Sequence, residues 1–141
     1  MKLKLTAQEA AAFLDEVFPQ VTGDFTIEDL GEMRARMRLN VDERHLRPGG
    51  TVSGPSIFAL ADVSAYLAVL GMIGREALAV TTNCSIDFMR KPAAGADLIA
   101  DCRLLKLGRV LAVGEVLIFS EGMDAPVARA SLTYSMPPVR A

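Results

Sequence analysis

The stretch that decides the fold is residues 55–70, which read PSIFALADVSAYLAVL. It is apolar on nearly every side, which is typical of a buried helix. Asp62, in its middle, is the only charged residue between Ser53 and Gly74. An ionised carboxylate that leaves water without partners costs several kcal/mol. Two interpretations of Asp62 therefore stand. It is hydrogen-bonded filler or points into a solvated seam, or it faces a cleft as a nucleophile, general base or general acid.

Helix-terminating signals stand at both ends of this stretch. Ser53 or Gly54 occupies the place of an N-cap, and Pro55 suits the first helical turn. Glycines follow at positions 71 and 74, where the apolar run ends. The sequence therefore predicts a long central helix over residues 54–73.

A second, shorter helix is predicted within residues 1–20. Thr6 and Glu9 have the spacing of a capping box, and Pro19 stops the apolar stripe that follows them. This helix is amphipathic and must lie on another element, although it is too small to cover the whole outer side of the central helix.

Six stretches alternate between apolar and polar residues, which is typical of half-buried strands. Two are predicted within residues 25–41, with a turn at residues 30–32, and the outer face of the second is rich in arginine. The short connections require an antiparallel sheet with one covered face, so the fold class is α+β. The other four stretches are residues 78–91, 97–106, 110–119 and 127–136.

Composition limits the classes of function. The 141 residues are predicted to form one domain, residues 1–141, and the net charge of −2 gives no electrostatic case for nucleic acid or an anionic membrane. A membrane span over the central helix is rejected, since Asp62 at the bilayer centre would cost about 2.5–3.5 kcal/mol. The early polar residues do not fit a secretory signal, so a cytoplasmic protein is expected.

The ligand residues of metal sites are scarce. Cys84 and Cys102 have no metal-binding or redox spacing and lie in alternating apolar stretches, where a core role is the common one. With one histidine, His45, a multi-histidine metal site is excluded. No metal and no organic cofactor is expected.

Two segments carry a resemblance to a known family. Residues 49–62 read GGTVSGPSIFALAD, and residues 84–92 read CSIDFMRKP. In this order and spacing they resemble the hotdog-fold acyl-CoA thioesterases, in particular the PaaI-like group related to the phenylacetic acid degradation and 4-hydroxybenzoyl-CoA thioesterases. The resemblance extends over about residues 33–134. It implies a hotdog fold, in which an antiparallel sheet of about six strands wraps around the central helix.

The resemblance also implies an activity, and the surface of the predicted fold implies an assembly. The expected reaction is hydrolysis of an acyl- or aryl-CoA thioester to the free acid and CoA. The expected assembly is a homodimer, doubled to a homotetramer as a dimer of dimers. The far side of the central helix and the sheet edges also favour a second copy, because both would otherwise leave surface without a partner.

The resemblance assigns roles to particular residues. Asp62 matches the catalytic carboxylate, and the backbone N–H of Gly54 matches the donor that polarises the thioester carbonyl; such donors at helix N-termini suit a developing oxyanion. A strand residue, Thr81, matches a hydroxyl that helps to hold the attacking water. The remaining substrate-binding residues are Ser53, Asn83 and the two coenzyme A cations, Arg90 and Arg109.

The chain departs from the family pattern at three positions. Ser53 replaces the usual His, Pro55 replaces the second Gly, and Arg47 stands where an Asn is common. A serine can donate a hydrogen bond but cannot carry the charge of an imidazole. The groups that orient the substrate must therefore differ.

Two other functions fit the same resemblance. An enoyl-CoA hydratase of this fold would need a His paired with an acid, and His45 is its one candidate, although an exposed loop position is expected for it. A protein that binds acyl-CoA without turnover is the other alternative.

Overall fold

The central helix, α2, determines the architecture of the computed structural model, which describes residues 2–136. It spans Gly54–Ile73, the predicted bounds, and twelve of its twenty residues are buried. Ser53 is its N-cap, and Gly74 follows it with a φ of 91°, a conformation that favours glycine. The other elements are α1 (Ala7–Val17), β1 (Phe25–Gly31), β2 (Arg34–Leu39), β3 (Val80–Phe88), β4 (Leu98–Leu107), β5 (Leu111–Ser120) and β6 (Ala128–Ser135).

The six strands form one antiparallel sheet in the order β1-β2-β4-β5-β6-β3. The sheet wraps around α2, and fully buried side chains from both layers fill the space between them. Among the largest are Met37, Leu60, Leu67, Leu98 and Ile118. This is the hotdog architecture, so the predicted fold class is confirmed.

The short N-terminal helix forms by the predicted mechanism. Thr6 accepts the N–H of Glu9, and the Glu9 carboxylate accepts the N–H of Thr6, which completes the capping box. The α-helix ends at Val17, and a single 3-10 turn runs over Pro19–Val21. Val17 and Phe18, at the end of α1, lie beside α2 and help to form the cleft described below.

The turn between β1 and β2 differs from the prediction. It is formed by Glu32 and Met33 instead of residues 30–32, and Gly31 still pairs with Arg34. Leu30 stays in the strand because its side chain packs closely over Gly71 of α2. Met33 adopts the left-handed conformation that the turn requires, with a φ of 60°.

The arginine-rich face of β2 is not a free cationic surface. Arg34 pairs with Asp29, and Arg36 pairs with Asp101 at 2.9 Å. Arg38 contacts three carboxylates, those of Glu28, Asp97 and Glu121. These contacts neutralise the arginine stripe with neighbouring carboxylates.

By length and composition alone, α2 could cross a membrane, with a mean hydropathy of 1.9 over an 18-residue window. In this fold, 67% of that window is buried inside the protein. Its apolar character is therefore explained by its position as the core helix.

Candidate active site

Asp62 lies in the middle of α2 and is held by two hydroxyl groups. The Thr81 hydroxyl donates to Asp62 Oδ1 at 2.5 Å, and the Tyr134 hydroxyl lies 2.7 Å from the same oxygen. The Tyr134 hydroxyl is also 2.7 Å from the backbone oxygen of Asp62. Within the described part of the chain, Oδ2 has no hydrogen-bond partner, and it is not buried. The carboxylate therefore has one fixed oxygen and one accessible oxygen.

Strand register brings the two hydroxyls together. Thr81 of β3 and Tyr134 of β6 are directly opposite each other in the antiparallel pair, and both side chains face α2. A β-bulge follows at once, because Asn83 pairs with Thr133 and Thr82 is the extra residue. Thr81 faces inward only because of this bulge, since Cys84 and Ile86 also face inward and strict alternation from them would have turned Thr82 inward.

Burial controls the protonation of the groups next to Asp62. Tyr134 is 3% exposed, and burial, together with the charge of Asp62, raises the pKa of its phenol far above the ordinary value. The phenol is therefore a proton donor at any working pH. Burial and Asp62 also raise the pKa of the Cys84 thiol, so this cysteine is a thiol and a poor nucleophile.

A cleft of about 290 Å³, lined by a mixture of apolar and polar groups, opens beside Asp62. Tyr66 forms part of its wall; the ring stacks on Tyr134 with centroids 6.3 Å apart, and the hydroxyl donates to the Ala77 carbonyl. Thr81 and Asp62 supply polar groups to this wall. The apolar residues come from the end of α1, from α2 and from the segment before β3: Val17, Phe18, Val63, Ala77, Ala79 and Val80.

The N-terminus of α2 forms a second group of candidate residues. Ser53 caps the helix, accepting the N–H of Ser56 at 3.3 Å, while its own N–H donates to the His45 carbonyl. The ring of Phe88 lies over Gly54, about where a side chain at that position would make van der Waals contact. Since α-helices rise about 1.5 Å per residue, Gly54 lies about 12 Å from Asp62 along the axis. One chain therefore does not bring these two residues to one carbonyl group.

The two predicted coenzyme A cations lie at opposite ends of the sheet. Arg109 is in the β4–β5 turn, next to the end of β6 that bears Tyr134, and Arg90 follows the far end of β3. Arg90 is held there by donating to the Pro126 carbonyl at 2.8 Å. The eight residue steps of β3 separate these ends by about 26 Å.

Asn83 does not reach Asp62 within the chain. Because the bulge inserts Thr82 between Thr81 and Asn83, the Asn83 side chain points to the outer face of the sheet, as does that of its cross-strand partner Thr133. A larger depression of about 440 Å³ lies on that outer face near β2 and β4, between ion-paired side chains that include Arg36 and Asp101.

His45 is buried, with 7% of its surface exposed, so the expectation of an exposed loop histidine was wrong. It lies in a 3-10 turn, Glu43–His45, where its Nδ1 accepts the Asp42 N–H and its Nε2 lies 3.4 Å from Asp24. Burial and the nearby Arg44 lower its pKa. Its ring anchors the loop that leads into α2, and it is absent from the walls of the Asp62 cleft.

Tyr134 is the residue of this cluster that the sequence analysis missed. Its signal was present in the alternation of β6, whose other inward-facing residues are Ala128, Ala130 and Leu132. A single polar group on an otherwise apolar face requires a partner, and Asp62 is the one charged residue of the central helix, which also lacked a partner.

Comparisons with known proteins agree with this fold. The sequence model of the thioesterase superfamily matches residues 49–127, which is more than half of the chain. A crystal structure from Silicibacter sp. TM1040, described as a candidate thioesterase, is 64% identical, with a TM-score of 0.92 over 98% of this chain and 96% of that one. No curated protein sequence matches significantly.

Two further structures share the fold at greater distance. A mutant of the phenylacetic acid degradation protein PaaI from Thermus thermophilus is 29% identical, with a TM-score of 0.73 over 84% of this chain and 99% of that one. A hypothetical thioesterase from Streptococcus pneumoniae, solved with coenzyme A, is 20% identical, with a TM-score of 0.76 over 91% and 99%. The chain belongs to the thioesterase superfamily, as a PaaI-like hotdog enzyme that hydrolyses thioesters.

Proposed function

We propose that this thioesterase acts on acyl- or aryl-CoA substrates, with Asp62 as its catalytic carboxylate. The observation that carries the proposal is the carboxylate itself, which has one oxygen bound by two hydroxyls and the other open beside a partly apolar cleft. A thioester has the same two parts, an apolar acyl group and a polar carbonyl.

The reaction adds water across the C–S bond. The oxygen of the nucleophile adds to the carbonyl carbon, the C–S bond breaks, and the CoA sulfur leaves as a thiolate that takes up a proton. Asp62 Oδ2 begins this step, either by attacking the carbonyl carbon or by removing a proton from the attacking water. If Asp62 attacks, a water then hydrolyses the mixed anhydride, which releases the acid and regenerates the carboxylate. The Thr81 hydroxyl, which donates to Oδ1, still has lone pairs to accept a hydrogen from that water.

The carbonyl oxygen must be stabilised by a donor from a second copy of the chain. Gly54 supplies the N–H at the positive end of α2, but it is about 12 Å from Asp62 within one chain. If the β3 edges of two copies pair antiparallel, the start of one β3 lies beside the end of the other. Gly54 of one copy then approaches Asp62 of the other, with Ser53 next to it.

The β3 edge has the surface that such a dimer needs. No strand of the described chain pairs with its outer side, and unpaired edges are sites of association. Exposed apolar side chains lie along it, with Leu78 76% and Val80 56% exposed near one end and Phe88 54% exposed at the other. We propose a homodimer through this edge, doubled to a homotetramer.

The same arrangement assigns the substrate's two ends. The acyl group enters the cleft at Asp62, whose aromatic residues Phe18 and Tyr66 suit an aryl or a medium-chain aliphatic group. In the dimer, Arg90 of one copy and Arg109 of the other come to the same end of the joined sheets, where guanidinium groups can bind coenzyme A phosphates. Asn83 lies on the outer face of the sheet, away from the cleft of its own chain, and has no part in this proposal.

Several further features are part of the proposal. The PaaI relative favours a role in phenylacetic acid degradation, and the relative solved with coenzyme A favours a CoA carrier. A CoA-dependent reaction suits the cytoplasm. Asp62 and backbone donors supply the chemistry, so no metal or organic cofactor is needed.

Turnover of a panel of acyl-CoAs tests the function. Release of free CoA thiol, detected with a thiol reagent, from phenylacetyl-, benzoyl- and C4–C10 aliphatic substrates supports hydrolysis. Hydration of an enoyl-CoA without thiol release would identify a hydratase, an activity for which His45 is poorly placed. Tight binding without either product would identify an acyl-CoA-binding protein. Both outcomes would overturn the proposal.

A further inference from the structure

We propose that Tyr134 is a positioning residue for catalysis: its hydroxyl, with that of Thr81, fixes Asp62 Oδ1 so that Oδ2 is the reacting oxygen. This inference rests on the proposed role of Asp62. The geometry that carries it is the pair of short contacts on one carboxylate oxygen, 2.5 Å from Thr81 and 2.7 Å from Tyr134.

Proton counting makes the carboxylate an acceptor. Each hydroxyl has one proton to donate. The backbone oxygen of Asp62 lies within α2, where it already accepts an intrahelical N–H, so the Tyr134 proton has its stronger acceptor in the charged Oδ1. With Thr81 and Tyr134 both donating to Oδ1, the plane of the carboxyl group is fixed. Only Oδ2 is left to meet a carbonyl carbon or a water.

The surroundings hold the phenol in this position. Tyr134 is fixed from one side by its stacking on Tyr66 and from another by its place in the ladder, between Thr81 of β3 and Ala112 of β5. It is almost fully buried, so bulk water does not compete for its proton. Phenylalanine at this site would keep the ring and the packing while removing only the donor.

A purely structural role for the phenol makes a different prediction. If the hydroxyl only satisfies its own need for a partner, its loss lowers stability and leaves each folded enzyme molecule unchanged. If it positions Asp62, its loss lets the carboxylate rotate and withdraws one donor from the ionised form. The second effect alters the rate and its pH dependence.

The test is Tyr134→Phe, with kcat, KM and the pH–rate profile measured per folded enzyme on the best acyl-CoA of the panel. We expect kcat to fall about tenfold, KM to change by less than about twofold, and the acidic limb of kcat/KM to move up by about one pH unit. The control is Ser120→Ala, which removes a buried hydroxyl that accepts the Ala93 N–H far from Asp62 and should leave the limb in place.

Each outcome decides between the two roles. A Tyr134→Phe enzyme with the wild-type kcat and acidic limb would overturn the inference, as would a loss of turnover that only follows the loss of folded protein. Asp62→Asn is measured beside it. If Asp62→Asn is active, the proposed function fails; if Asp62→Asn is inactive while Tyr134→Phe is normal, only the positioning role fails.

Discussion

Gly54 and Asp62 lie on the same helix, eight residues and about 12 Å apart, with Gly54 at its N-terminus and the Asp62 carboxylate in its middle. A thioester carbonyl is far smaller than this separation. The proposed active site therefore takes Asp62 from one copy and Gly54 from another, which is why the proposal includes a twofold dimer.

Disrupting the β3 edge should abolish activity together with assembly. Leu78→Lys places a charge on the exposed surface just before β3 and outside the Asp62 cleft, and we expect sedimentation to show monomers and thiol release to fall to background. The matched control is Leu105→Lys, because Leu105 is 60% exposed on β4, away from that edge. An active, well-folded monomer would contradict the shared site.

Asp62→Asn should remove thioester hydrolysis and leave the fold intact. The amide keeps the volume and can still accept from Thr81 and Tyr134, but it cannot act as a base or nucleophile. We expect a loss of about 10²–10⁴-fold in kcat. Thermal melting of the same sample checks the fold, and wild-type turnover in a folded variant would reject the site.

Thr81 allows a graded test of the hydrogen bond at 2.5 Å. Thr81→Val keeps the branched shape and removes the donor, so kcat should fall about tenfold, which is about 1.4 kcal/mol of transition-state stabilisation. Thr81→Ser keeps the hydroxyl and should retain most of the activity. Equal activity of Val and Ser variants would show that the hydroxyl plays no part.

Ser53 separates helix capping from substrate contact. Ser53→Ala should destabilise the protein by about 1 kcal/mol because the Ser56 N–H loses its acceptor. Ser53→His loses the same cap but adds an imidazole donor beside Gly54, and turnover on small acyl-CoAs should rise, since a tenfold gain needs only about 1.4 kcal/mol. If Ser53→His is destabilised with unchanged turnover per folded enzyme, Ser53 is a cap alone.

The buried His45 should make stability depend on pH. Its folded-state pKa is lowered below the ordinary 6.5, so the unfolded chain takes up a proton first as the pH falls. The stabilisation is complete above pH 6.5 and is lost from there towards the folded-state pKa. Urea unfolding of wild type and His45→Gln between pH 7.5 and 5.5 measures it. If the free energy of unfolding depends on pH equally in wild type and His45→Gln, this assignment is contradicted.

The sequence was sufficient for the large features and insufficient for the contacts. The apolar run around Asp62 and the alternating stretches predicted α2 and the sheet, because hydrophobic periodicity follows burial. The sequence alone could not show that Tyr134 contacts Asp62, 72 residues away, because the order of strands in a sheet is set by long-range contacts. It also placed the β1–β2 turn too early, because the packing of Leu30 on Gly71 holds the strand in register.

The extra residue at Thr82 has a consequence for comparing relatives. Before the bulge, odd-numbered positions of β3 face α2, and after it even-numbered positions do. For any homologue whose strand lacks the insertion, an ungapped alignment anchored on Cys84 would equate Thr82 with the residue that truly corresponds to Thr81. A family profile built that way would record the hydroxyl beside Asp62 as variable, although every member could carry one.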